Sequence, residues 1–233
     1  MKKVLTILLI IFLIAIGAFA FYVTDYYKAD EAAIIRYLKG SKVDDGCIVV
    51  LPEVVSDKAL IFYPGGKVEY SAYIPLLEEL ASRGIVCFLP KMTFNLAILS
   101  PNKADEIIKE HKEINTWYIG GHSLGGAAAS LYASKHQDVI DSLLLLASFS
   151  TKDISHSEID VLSIYGSEDG VLNYDSYEKY KKNLPLSAKE VIIEGGNHSG
   201  FGFYGSQKGD KDSAISKVQQ IEETVAAIMS FIE

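Results

Sequence analysis

Cysteine is scarce in this 233-residue chain: Cys47 and Cys87 are the only two, and neither sits in a C-x-x-C pair or at metal-ligand spacing from a histidine. That argues against a metal site. Each lies in an apolar strand-like run, 47–51 and 85–89, and reads as a small buried hydrophobe rather than half of a disulfide. Positive charge is short as well, with 22 basic against 30 acidic side chains and a net charge of −8. An acidic surface repels phosphate backbones, so nucleic acid is not an expected partner. Nothing repeats, and no break in composition marks a second globular domain. At 49% hydrophobic the chain suits one core of ordinary size, and no residue pattern asks for a cofactor.

One long apolar run is present. Behind Lys2 and Lys3, residues Val4 to Val23 carry no charge. As a helix these twenty or so residues match the roughly 30 Å hydrocarbon core of a bilayer. The competing reading is a signal peptide cleaved after Ala18-Phe19-Ala20, although the run continues through Phe21-Tyr22-Val23 past that site. Either way the two lysines remain cytoplasmic and the rest of the chain is exported, held at the cell membrane or secreted. No cysteine follows the run to carry a lipid. The expected organisation is an anchor or signal segment over 1–24, a charged and tyrosine-rich stalk over 25–45 with a helix at 30–38, and a globular domain over 46–233.

Within that domain apolar runs predict strands at 47–55, 59–63, 85–89, 117–120, 142–147, 161–165 and 190–194. Helical patterns fall between most of them, at 72–82, 103–111, 124–135, 174–183 and 213–231. The last carries a stripe of Ile215, Val218, Ile221, Val225 and Ile228 that should dock on a sheet. Strands alternating with helices predict an α/β fold with a mostly parallel central sheet and helices on both faces.

Gly121-His122-Ser123-Leu124-Gly125 follows the strand at 117–120 and opens the helix at 124–135. A serine framed by glycines at a strand-to-helix turn holds its hydroxyl above the sheet, which makes Ser123 the candidate nucleophile. Serine needs a base. With this turn the chain order is serine, acid, histidine. Of five histidines only His156 and His198 lie far enough downstream, and His156 precedes the next strong strand. His198 follows the strand at 190–194 in a loop opened by Gly195-Gly196-Asn197, where open α/β sheets build their sites. The acid must be ionised and close to that loop. Asp169, in the turn Gly166-Ser167-Glu168-Asp169-Gly170, is the choice, with Glu168 as its competitor. For a developing oxyanion, the backbone N–H of Leu124 and one from Pro64-Gly65-Gly66-Lys67 are the candidate donors, Gly66 being preferred over Lys67.

These segments together resemble the α/β-hydrolase superfamily, and more narrowly the fold-5 group related to dienelactone hydrolase. The matching stretches are Tyr63 to Gly66, Lys91 to Ala97, Gly120 to Gly126, Gly166 to Gly170, and Gly195 to His198 with Phe201-Gly202. They cover about residues 45 to 233 in order. Dienelactone hydrolase uses a cysteine nucleophile; Ser123 stands in that slot here, so the resemblance implies serine-type hydrolysis. The expected activity is cleavage of small carboxylic esters through an acyl-enzyme, with no metal or cofactor. Alternative readings are a non-catalytic surface binding protein on the same fold, or an amidase or peptidase. The gap 148–160 is too short for a helical lid, which predicts an open site rimmed by residues 92–96 and by Phe201, Phe203 and Tyr204.

Overall fold

Alternation along one strand explains the architecture. In β3 (Lys58–Tyr63), Leu60 and Phe62 enter one hydrophobic cluster, while Ala59, Ile61 and Tyr63 enter another on the opposite face. A strand buried on both sides needs cover on both sides. The computed structural model describes residues 2–38, 41–44 and 46–232. Besides β3 it contains β1 (Lys42–Asp44), β2 (Cys47–Val50), β4 (Val86–Pro90), β5 (Thr116–His122), β6 (Ser142–Leu146), β7 (Asp160–Gly166) and β8 (Lys189–Ile193). Among the described residues these form one sheet, ordered β1-β2-β4-β3-β5-β6-β7-β8. β2 runs antiparallel to both its neighbours, and all pairings from β4 to β8 are parallel. The cover comes from α3 (Ile74–Ala81) and α7 (Lys217–Ile232) on one face, and α4 (Lys103–Glu110) and α5 (Leu124–Ala133) on the other. α6 (Tyr174–Tyr180) lies between β7 and β8. The expected α/β fold is present, with one more strand than the sequence signals.

The three largest departures from the expected boundaries each have a local reason. β2 stops at Val50 rather than Val55, because Pro52 offers no N–H and Val54 and Val55 stand exposed without a pairing strand. The last helix begins at Lys217 rather than Ser213, because the Ser213 hydroxyl and the Ala214 N–H bind the Gly195 carbonyl and the Ser216 hydroxyl caps the Gln219 N–H at 3.1 Å. Its docked face carries Ile221, Val225 and Ile228 as expected, but Val218 is exposed and Gln220 and Thr224 are buried instead. The helix expected at 30–38 is the single turn α2 (Glu31–Ile34), capped by the Asp30 carboxylate. Cys47 and Cys87 sit three positions out of register on adjacent strands and enter opposite cores, so no disulfide links them.

The N-terminal helix α1 (Lys2–Thr24) has 23 residues, mean hydropathy 3.0 and no buried residue. It is the one helix among the described residues long and apolar enough to be a candidate membrane span, and a signal sequence has the same character. Of the segment expected as a stalk, Tyr27 to Tyr37 lie against the domain. The Tyr27 N–H donates to the Lys67 carbonyl at 2.7 Å and the Asp30 N–H to the Phe203 carbonyl at 2.8 Å, while Ile34 is buried.

Candidate active site

β5 and α5 meet at Ser123, whose backbone has φ +53° and ψ −121°. An L-residue adopts that region only under constraint, and the constraint is visible. The Ser123 N–H is held by the Leu146 carbonyl at 2.8 Å, and its own carbonyl accepts the Ser148 hydroxyl at 2.7 Å. Glycine at 125 is required by close approach, since a Cβ there would run into the carbonyl oxygens of Tyr63 and Pro64. The turn after β3 is thereby pressed against the first turn of α5.

His198 lies beyond β8 and Asp169 beyond β7, as their chain positions imply. The structure brings them together: His198 Nδ1 and Asp169 Oδ2 are 2.8 Å apart and both side chains are fully buried. The other carboxylate oxygen of Asp169 accepts the N–H groups of Val171 and Leu172 at 2.8 and 2.7 Å. Such a carboxylate is set up to receive a proton donor from the ring, which leaves Nε2 as the acceptor. Nε2 is buried and makes no hydrogen bond among the described residues. His198 and Ser123 line one pocket of about 260 Å³, walled by Ala147 to Phe149 and Val171 to Asn173. Glu168 turns outward to Lys211, 3.8 Å away. A larger cavity of about 810 Å³ between β4 and α4 contains none of these three residues.

Leu124, the first residue of α5, also lines the pocket. In the turn after β3, the Gly65 N–H donates to the Tyr73 hydroxyl at 3.0 Å and the Lys67 N–H to the Asn95 carbonyl at 2.8 Å. The Gly66 N–H donates to no group among the described residues, and Gly66 packs on the Leu124 side chain.

Several supporting residues carried no local motif. Asp210 accepts backbone N–H groups from Gly170 (3.1 Å), His198 (3.2 Å) and Ser199 (2.8 Å), so one carboxylate ties the acid turn to the histidine loop. Buried Gln220 clamps Asn197 at both its N–H and its carbonyl. The Lys217 ammonium donates to the carbonyls of Ser199, Gly202 and Tyr204, and burial lowers its pKa to about 8. His122 lies under the site with its ring 4.5 Å from that of His198. Its Nδ1 is 2.8 Å from the Tyr73 hydroxyl, a phenol that burial keeps protonated. The Tyr73 hydroxyl also accepts the Gly65 N–H, and burial together with the neighbouring His198 holds His122 neutral, its pKa well below the ordinary histidine value. Phe201 and Tyr204, expected on the rim, are instead fully buried around His122, because the histidine loop folds inward onto Tyr73. Phe203 is half-buried against Tyr37.

No curated protein matches this chain in sequence. Among solved structures, Est1E from Butyrivibrio proteoclasticus superposes with a TM-score of 0.63 at 14% identity, covering 83% of this chain and 99% of that one. MGS-MChE2, an alpha/beta hydrolase enzyme from the metagenome of sediments from the lagoon of Mar Chica, Morocco, gives 0.61 at 15% identity over 83% and 98%. A predicted CIB-like hydrolase from Thermoplasma acidophilum gives 0.56 at 16% over 82% and 95%. Likeness at such identity is likeness of fold. The sequence match goes further: the profile of the alpha/beta hydrolase family aligns with residues 59–222, from β3 through the Ser123 turn, the Asp169 turn and the His198 loop into α7. Since that span takes in most of the chain and every element that builds the pocket, the protein belongs to the alpha/beta hydrolase family and is a hydrolase.

Proposed function

We propose that this hydrolase cleaves carboxylic esters of small substrates through an acyl-enzyme on Ser123. The observation that carries the reading is the buried 2.8 Å pair of His198 and Asp169 opening on the same pocket as Ser123. Ser123 Oγ attacks the ester carbonyl as His198 Nε2 takes its proton. Asp169 holds the imidazole in the tautomer that leaves Nε2 free and stabilises the imidazolium that forms. The oxyanion lies against the N–H groups of Leu124 and Gly66, the first at the positive end of α5. His198 returns the proton to the leaving alcohol, and water then repeats the sequence on the acyl-enzyme. In the same reading α1 is a retained anchor and the catalytic domain stands outside the cytoplasm.

A fluorophosphonate should label wild-type protein and leave Ser123→Ala unlabelled. The variant should keep its melting temperature and lose roughly 10³-fold to 10⁶-fold in kcat on p-nitrophenyl acetate. Near-normal turnover by Ser123→Ala would remove the assignment. For topology, the full-length protein should stay in the membrane pellet after an alkaline carbonate wash. Mature protein beginning at Phe21 would show a cleaved signal peptide instead.

A further inference from the structure

α1 meets the domain at the carboxyl edge of the sheet, the edge on which the pocket also lies. Its last turns touch two loops. Phe19 packs edge-to-face on Phe94 with ring centroids 5.6 Å apart. Tyr22 lies under the Lys67 ammonium at 4.5 Å, and Asp25 pairs with the same ammonium at 3.0 Å. Lys67 directly follows Gly66, and its N–H is bonded to Asn95 beside Phe94. The turn after β3, the loop after β4 and the end of α1 are therefore one connected unit.

Depth follows from helix geometry. Phe19 lies four residues before the end of the apolar run at Val23, about 6 Å along the axis at 1.5 Å per residue. With α1 along the bilayer normal, a ring packed on Phe19 from outside the helix would lie about 6 Å inside the boundary, within the range of interfacially inserted groups. Tyr22, Tyr26 and Tyr27 follow at the level where tyrosine is enriched in membrane proteins. The loop after β4 is built to be there. It exposes Phe94 at 53%, Ile98 at 44% and Leu99 at 50%, and Phe94 and Asn95 both hold positive φ.

We propose that the catalytic edge of the domain is seated on the bilayer by the 93–99 loop, and that the enzyme takes its ester from the membrane surface, the small group that enters the pocket being the acyl end of a bilayer-embedded amphiphile. The substrate class rests on the ester-hydrolase reading above, and the seating on α1 as a retained anchor. A pocket of about 260 Å³ holds the reacting end of such a molecule and leaves its chain in the lipid. The occupant is the bilayer rather than another protein because the loop is contiguous with the chain's own candidate span. The net charge of −8 points to zwitterionic rather than anionic lipid.

The test uses the full-length protein reconstituted in phosphatidylcholine vesicles. An environment-sensitive NBD label is placed at Leu99→Cys, and as a control at Leu186→Cys on the opposite edge of the sheet, both in a Cys47→Ser background with Cys87 buried. The Leu99 label should emit as in lipid and be quenched by doxyl lipids, while the Leu186 label should emit as in water. Ile98→Ser/Leu99→Ser should lower hydrolysis of hexadecyl acetate in those vesicles at least tenfold and leave p-nitrophenyl acetate within twofold. Water-like emission at Leu99, or a double variant that changes both substrates equally or neither, overturns the proposal. Lipid-like emission at Leu99 from protein that cleaves neither ester overturns the ester reading and supports the seating.

Discussion

Asp169→Asn isolates the contribution of the acid, because the side chain keeps its shape and loses only the charge and one acceptor. In the wild type one oxygen accepts the N–H groups of Val171 and Leu172, and the other faces His198 Nδ1. Asparagine must choose. If its oxygen stays on the two backbone donors, its NH₂ faces Nδ1, which must then become an acceptor, and the imidazole proton moves to Nε2. Such a ring cannot take the Ser123 proton. The flipped amide preserves the productive tautomer but sets NH₂ against two buried N–H groups. Leaving those unsatisfied costs about 1–3 kcal/mol each. With a gap of about 2–6 kcal/mol the productive state is rare. The imidazolium also loses its counter-charge. Together these predict a kcat loss of roughly 10³-fold to 10⁴-fold. Fold stability should fall by only about 1.5–3 kcal/mol, the worth of a hydrogen bond to a charged group. The assay is p-nitrophenyl acetate hydrolysis beside a urea melt. Glu168→Gln is the control: its carboxylate is partly exposed and 3.8 Å from Lys211, so turnover should stay within twofold. A kcat for Asp169→Asn within tenfold of wild type, or a larger loss for Glu168→Gln, would refute the assignment.

Two further outcomes follow from the residues around the pair. Asp210→Asn should lower kcat together with stability, the latter by about 1–3 kcal/mol, since one carboxylate joins the N–H groups of Gly170, His198 and Ser199; unchanged kinetics with a lowered melting temperature would show a purely structural role. His122 is held neutral by burial, so below about pH 6.5 the unfolded chain binds a proton that the folded one refuses. Stability should therefore be lost as pH falls below about 6.5, at up to about 1.4 kcal/mol per pH unit from this group. His122→Asn, which keeps a hydrogen-bonding partner for Tyr73, should flatten that slope in urea melts from pH 7 to 5, and parallel curves for the two proteins would contradict the burial argument.

Sequence alone determined the class of fold and named the members of the candidate site in chain order. Buried parallel strands read as apolar runs because both their faces are covered, and Gly121-His122-Ser123-Leu124-Gly125 announces itself because only small residues survive where a Cβ on Gly125 would strike Tyr63 and Pro64. Ser123, Asp169 and His198 could each be named because each lies shortly beyond the end of a strand whose hydrophobic signal is local. The tertiary structure decided what depends on partners distant in the chain. Glu168 and Asp169 are adjacent and chemically alike, and only the packing of the β7 turn against the β8 loop turns one inward to His198 and the other out to Lys211. Gly66 and Lys67 are distinguished by Asn95, which takes the Lys67 N–H from a loop nearly thirty residues away. Asp210, Gln220 and Tyr73 have no signature in sequence, since a carboxylate, an amide or a phenol binds backbone wherever the fold brings backbone to it. The same holds for the end of α1. Its apolar run was legible from hydropathy, but its contacts with Phe94 and Lys67 exist only because the loops after β3 and β4 converge on the edge of the sheet that carries the site.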